Sequence, residues 1–187
     1  MLKLLLSGLL ALSPVASEHP DVVFQNLASV YRVDCDSWRG TAFRVGPNHF
    51  LSVAHVTSGT HCNIAGKPTT VTEQDGANDF AQLNADIRGG KPYAIDCGGF
   101  VPGRWYWAAG YAFGAMFQTN VAIYATYAFS DNGERVFMGM HTVIPGMSGG
   151  PVIDPATGAV VGTVNMYDPE NGLSFSRELK GTSVCRH

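Results

Sequence analysis

A chain of 187 residues, 45% hydrophobic and 14% charged, is long enough for one compact domain with a sizeable core, or for two small barrels sharing one. Its formal net charge is −3, with no basic stripe or block of like charge, which argues against a nucleic-acid partner. The 22 glycines and 10 prolines are spread along the chain, a distribution that suits many short strands and turns better than disorder.

At the N-terminus Lys3 precedes an apolar run over residues 4–12, Pro14 breaks it, and Val15, Ala16 and Ser17 are small. This pattern predicts a secretory signal over residues 1–17, cleaved after Ser17. The run is short for a transmembrane span, so residues 18–187 are expected outside the cytoplasm, secreted or periplasmic, without stable membrane insertion. In an oxidising compartment Cys35, Cys62, Cys97 and Cys185 read as an even disulfide set with three possible pairings. No C-x-x-C or H-E-x-x-H spacing occurs, so a metal site is not expected.

Residues 18–26 read as an exposed lead-in. Alternation over residues 27–33, the run 40–45 with a turn at 46–48, and the run 49–56 predict three strands with tight turns. These begin an antiparallel barrel or sandwich. His55 closes the third strand, where imidazole can serve as a general base, although a rim histidine is the commoner case. Residues 63–72 predict a strand pair around Gly66, and Asp79 opens the next strand. Lying just before apolar residues, its carboxylate needs a partner, whereas Asp75 and Asp86 lie in more polar surroundings. Residues 85–102 form a Gly- and Pro-rich connection. A second half follows, with strands near 105–109 and 117–129, a hairpin turn at Asn132-Gly133, and a return over 135–142. It ends with a hairpin over 151–166 and a final strand over 172–179. No internal repeat is visible.

Between these lies Pro145-Gly146-Met147-Ser148-Gly149-Gly150-Pro151. A serine that attacks a carbonyl needs an exposed Oγ on a tight turn and backbone N–H groups close to the oxyanion that forms. Glycine permits that approach. Taken alone the motif is a Gly-rich turn. With His55 and Asp79 upstream, it completes the order His, Asp, Ser known for this catalytic geometry.

Here the sequence resembles trypsin-like serine proteases. Ser52-Val53-Ala54-His55-Val56 resembles their alanine-histidine signature, Asp79-Phe80-Ala81 their Asp-x-Ala, and Gly146 to Pro151 their G-x-S-G-G-P. Gly40-Thr41-Ala42-Phe43, Gly110-Tyr111 and the stretch 158–165 resemble bacterial HtrA-like members. The resemblance implies an all-β fold of two perpendicular antiparallel barrels, about 27–95 and 101–187, with the site between them. It implies Ser148 as nucleophile, His55 as base, Asp79 orienting the imidazole, and the N–H groups of Gly146 and Ser148 as oxyanion hole. The implied reaction is hydrolysis of peptide bonds in a protein or peptide substrate through an acyl-enzyme, with no metal or organic cofactor. The alternative is an inactive homologue that uses the cleft for binding.

Further expectations follow from the same resemblance. Met147 stands where zymogen-activated members carry aspartate, so activation by an N-terminal ion pair is not expected. Nor are the trimer assembly and PDZ-dependent regulation of HtrA-like proteins. The substrate pocket would be built from Thr142 and Val143 at its base, Val164, Asn165 and Met166 along its wall, and Tyr167 at its mouth. None is acidic, which implies a small or medium apolar residue at the cleavage site rather than Lys or Arg. The family often braces the histidine region, implying a Cys35–Cys62 bridge and with it Cys97–Cys185.

Overall fold

The computed structural model describes residues 26–112, 121–131, 134–140, 143–168, 170 and 173–186. The leader expected over 1–17, the Asn132-Gly133 turn and Thr142 lie outside them. Among these residues twelve strands form two closed antiparallel barrels. The first contains β1 (Val30–Cys35), β2 (Trp38–Gly46), β3 (His49–Ser52), β4 (Cys62–Ile64), β5 (Lys67–Asp75) and β6 (Phe80–Asn84). In the second are β7 (Trp105–Tyr111), β8 (Val121–Asp131), β9 (Glu134–Met140), β10 (Pro151–Ile153), β11 (Val160–Asp168) and β12 (Leu173–Glu178). The strand order around the first is β1-β2-β3-β6-β5-β4, and the second repeats it as β7-β8-β9-β12-β11-β10. The halves thus share a topology that leaves no repeat in the sequence, because barrel closure constrains which strands pair and not which apolar residues fill them.

Tight turns make the neighbour pairings, such as β1 with β2 and β4 with β5. Closure needs distant ones: β1 with β4 and β3 with β6 in the first barrel, β7 with β10 and β9 with β12 in the second. Closing a sheet removes the exposed edges that would otherwise invite aggregation. Val33, Phe50, Ile64 and Leu83 fill the first barrel; Tyr106, Met147, Val152 and Val164 lie in the second. A third cluster, with Phe43, Leu51, Ala109, Ile153 and Leu179, joins residues of both. Strand β2 is buried without alternation from Gly40 to Arg44, as expected of a strand covered on both faces.

Two sequence expectations shift. Residues 27–29 form a 3-10 turn, with β1 starting at Val30. His55 is not on β3, which ends at Ser52, but in the turn after it, where Thr57 N–H donates to the carbonyls of Val53 (3.3 Å) and Ala54 (3.1 Å). The chain there must leave the barrel wall, and buried Val53 and Val56 anchor the two ends of the turn.

Both expected disulfides, Cys35–Cys62 and Cys97–Cys185, are present. After β12 the chain returns to the first barrel through a second 3-10 turn, Ser183–Cys185. There Ser183 Oγ donates to Glu73 (2.7 Å) and accepts from Gln82 Nε2 (2.8 Å).

Candidate active site

Each of the three expected residues stands on a different kind of local structure. The turn carrying Asp79 is shaped by Asp75, whose Oδ1 accepts from the backbone of Ala77 and Asn78 (both 3.1 Å) and whose Oδ2 accepts from Asn78 Nδ2 (2.6 Å). Asp75 is therefore the turn-capping carboxylate. Asp79 leaves the turn at φ 47°, a left-handed conformation that aspartate tolerates better than most residues. Its Oδ2 lies 2.8 Å from His55 Nδ1, and its Oδ1 accepts from His55 N–H at 2.9 Å.

Burial alone would raise the Asp79 carboxyl pKa. Hydrogen bonds from the His55 ring, Asn165 and the His55 backbone outweigh it and hold the group at about 2. An ionised carboxylate only accepts, so His55 Nδ1 carries the proton in the neutral imidazole and Nε2 keeps its lone pair.

The serine turn depends on close backbone approach. Gly149 has φ 86°, and a Cβ there would fall on the Thr41 carbonyl and Ser52 Oγ. Gly149 N–H donates to Val164 O at 2.7 Å, and Thr41 N–H donates to Ser148 O at 2.8 Å. Thr41 Oγ1 donates to Gly146 O (2.9 Å) and accepts from Tyr111 N–H (2.9 Å). These bonds, one set from each barrel, fix the backbone on both sides of Ser148. The N–H groups of Gly146 and Ser148 have no protein acceptor among the described residues. Ser148 Oγ donates to Asn165 O at 3.2 Å.

Asn165 links the two halves of the site. Val164 faces Ser176 and Met166 faces Phe175, so Asn165 is the extra residue of a β-bulge, which redirects its side chain. Its Nδ2 donates to Asp79 Oδ2 (3.0 Å) and to Asp79 O (3.3 Å), while its Oδ1 accepts from Arg177 N–H at 2.9 Å. Arg177 Nη1 also reaches Ala77 O at 2.9 Å, inside the turn before Asp79.

His55, Ser148, Asn165 and Met166 line a cleft of about 410 Å³ that continues past Pro145 and Gly146. Of the expected pocket residues, Val143 and Val164 are buried in the second-barrel core. Tyr167 is placed only by its pairing with Ser174. Thr41, and the contact of Asn165 with Asp79, escaped the sequence reading. Thr41 stood in a quoted motif, but nothing in its neighbours marks a bond spanning 105 residues. No group of three or more His, Cys, Asp or Glu suited to a metal occurs among the described residues.

Two closed six-stranded barrels, with a serine and a histidine lining one cleft and a half-buried carboxylate behind the histidine, are the arrangement of chymotrypsin-type hydrolases. A profile of the trypsin-like peptidase domain matches residues 40–162; the chain belongs to that family and is a serine endopeptidase. No curated protein matches it in overall sequence. Among solved structures, the Ser343Ala inactive form of Rv3671c from M. tuberculosis H37Rv superposes with a TM-score of 0.71 at 22% identity, over 89% of this chain and 88% of that one. The HtrA-type protease AlgW with a tripeptide gives 0.69 at 19% identity, over 88% and 60%. A human pathogenic astrovirus serine protease gives 0.66 at 17%, over 82% and 91%.

Proposed function

We propose that this peptidase is an exported enzyme that cleaves peptide bonds with Ser148 as nucleophile, His55 as general base and acid, and Asp79 as the group that orients the imidazole and stabilises its charged form. The contact of Asp79 with the Nδ1 of His55, a histidine that lines one cleft with Ser148, carries the reading. For attack the hydroxyl leaves Asn165 O and turns to His55 Nε2, giving up one weak neutral hydrogen bond. Oγ then bonds to the scissile carbonyl carbon while its proton moves to Nε2. The resulting oxyanion is held by the N–H groups of Gly146 and Ser148; losing one such donor typically costs about 10²–10³-fold in rate. Collapse breaks the C–N bond, and Nε2–H protonates the departing amine. Water repeats the sequence on the acyl-enzyme.

The acyl half of the substrate adds to β11. That strand pairs with β12 along one edge, and beyond Thr163 no strand pairs with its other edge among the described residues. Such an edge accepts an extended peptide by backbone hydrogen bonds. The residue before the scissile bond is small or medium and apolar. Met147, buried in the core, supports activity without an N-terminal activation cut. Export is supported by the leader-like residues 1–17 and by two disulfides; no helix among the described residues is long and apolar enough to cross a membrane.

The test is labelling with a fluorophosphonate probe beside Ser148→Ala and His55→Ala. Labelling of the wild type alone, mapped to Ser148, is the expected result. Absence of labelling in the folded, disulfide-intact protein favours the binding homologue.

A further inference from the structure

The cleft extends from His55 across Val56 to Trp38 and Arg39 at the start of β2, beyond any residue assigned a role above. Trp38 is 53% exposed, although it is held on a rigid support. The Cys35–Cys62 bridge braces the turn end of its hairpin, where Cys35 faces both Trp38 and Cys62. Asp36 N–H donates to His61 O at 3.1 Å, and Asp36 Oδ2 accepts from Thr60 N–H at 2.6 Å. An exposed indole on a braced backbone offers apolar area with little ordering left to occur on binding. Arg39 lies beside it. Arg39 (3.4 Å) and Arg32 (2.8 Å) share the single carboxylate of Asp34, so positive charge remains at this rim, and among the described residues no carboxylate lines the cleft.

The chemistry assigns a direction. His55 must protonate the departing nitrogen, so the residue after the scissile bond lies against the imidazole. With the acyl half along β11, the departing half runs past Val56 toward Trp38. We infer that Trp38 selects a large apolar or aromatic residue immediately after the scissile bond and that Arg39 disfavours Lys or Arg there. This rests on the peptidase reading above.

Acyl transfer isolates this side of the site. By microscopic reversibility an added amine enters where the departing amine leaves. It bonds to the acyl carbon, the Ser148 Oγ–C bond breaks, and the amine proton passes through His55 to Oγ. The protein is acylated with an activated ester of a blocked alanine dipeptide in the presence of the amides of Phe, Leu, Gly or Arg. Chromatography of amide and acid products gives a ratio that does not depend on how much acyl-enzyme forms.

Wild type should favour Phe-amide over Gly-amide by roughly tenfold, the scale of burying part of an aromatic ring. Trp38→Ala should reduce that preference to about twofold, whereas Trp38→Phe should keep most of it. Arg39→Ala should narrow the gap between Leu-amide and Arg-amide by about threefold, the scale of an exposed charge pair. Trp105→Ala, removing a comparably exposed tryptophan on β7, should leave every ratio at the wild-type value. Acyl-enzyme with no preference among nucleophiles, or with a preference that Trp38→Ala leaves intact, overturns this inference alone. Failure to form any acyl-enzyme overturns it together with the hydrolase reading.

Discussion

Asp79 is the residue on which most of the site's electrostatics converge. Asp79→Asn should keep the fold but favour the wrong imidazole tautomer, lowering kcat by about 10⁴-fold at neutral pH; steady-state kinetics on a peptide ester checks it. Its folded pKa of about 2 lies below the ordinary 3.8, so folding favours the ionised form. The stability it contributes is complete above about pH 4 and is lost as pH falls through about 2. Asn165→Ala removes one of the donors that depress this value and should raise it, moving the acid loss of stability upward. A carboxyl-carbon NMR titration of Asp79, beside acid unfolding curves, reads both effects. Thr41→Val should destabilise by about 1–3 kcal/mol, because Gly146 O and Tyr111 N–H are left in the interior without their partner. Thr41→Ser should restore most of this in urea titrations. Ser148, His55 and Asp79 were legible because each carries a chemical signature in its immediate neighbours. Thr41 was not, nor was the bond that joins Asn165, expected only as pocket wall, to Asp79, since threonine and asparagine in strands look alike whether or not their side chains bridge two barrels.

The site is assembled from a turn, a hairpin end, a glycine-rich loop and a bulged strand, and each has a separate reason for its shape. Glycine at 149 is required twice, by its positive φ and by the Thr41 carbonyl against which any Cβ would press. Gly149→Ala should therefore displace the serine turn, and loss of fluorophosphonate labelling, with Tm lowered, is the expected outcome. The glycines announced this turn in the sequence. The bulge at Asn165 was not announced, because residues 159–166 read as an ordinary hairpin strand and only pairing with β12 shows the extra residue. The β5–β6 hairpin that delivers Asp79 is held from outside by Arg177 on Ala77 O (2.9 Å) and by Arg186 on Asp75 (3.4 Å). Both contacts come from far along the chain, which is why the hairpin read as a simple polar turn.

Across the whole molecule, the barrels share the interface cluster and the returning C-terminal segment. The two disulfides act on different loops. Cys35 and Cys62 are already opposite one another in paired strands and lie 27 residues apart, whereas Cys97 and Cys185 lie 88 residues apart. Loop-closure entropy gives roughly 3.5 kcal/mol for the shorter loop and about 4.6 kcal/mol for the longer. The paired alanine variant at Cys97 and Cys185 should therefore lose more stability than the pair at Cys35 and Cys62, as compared by guanidinium unfolding. Freed from its bridge, the C-terminal segment also loses support for the contacts of Ser183 with Glu73 and Gln82.

By itself the sequence determined the local features: turns where Gly, Pro and Asn cluster, strands where apolar residues alternate, and a serine turn that only glycine permits. These are decided by sterics and hydrogen bonding within a few residues. Tertiary structure alone decided how β1 meets β4 and β7 meets β10, that the C-terminus crosses back to the first barrel, and that Asn165 of the second barrel reaches Asp79 of the first. Such contacts arise from closing two sheets and packing them together. Their energy depends on residues that are neighbours only once the chain has folded.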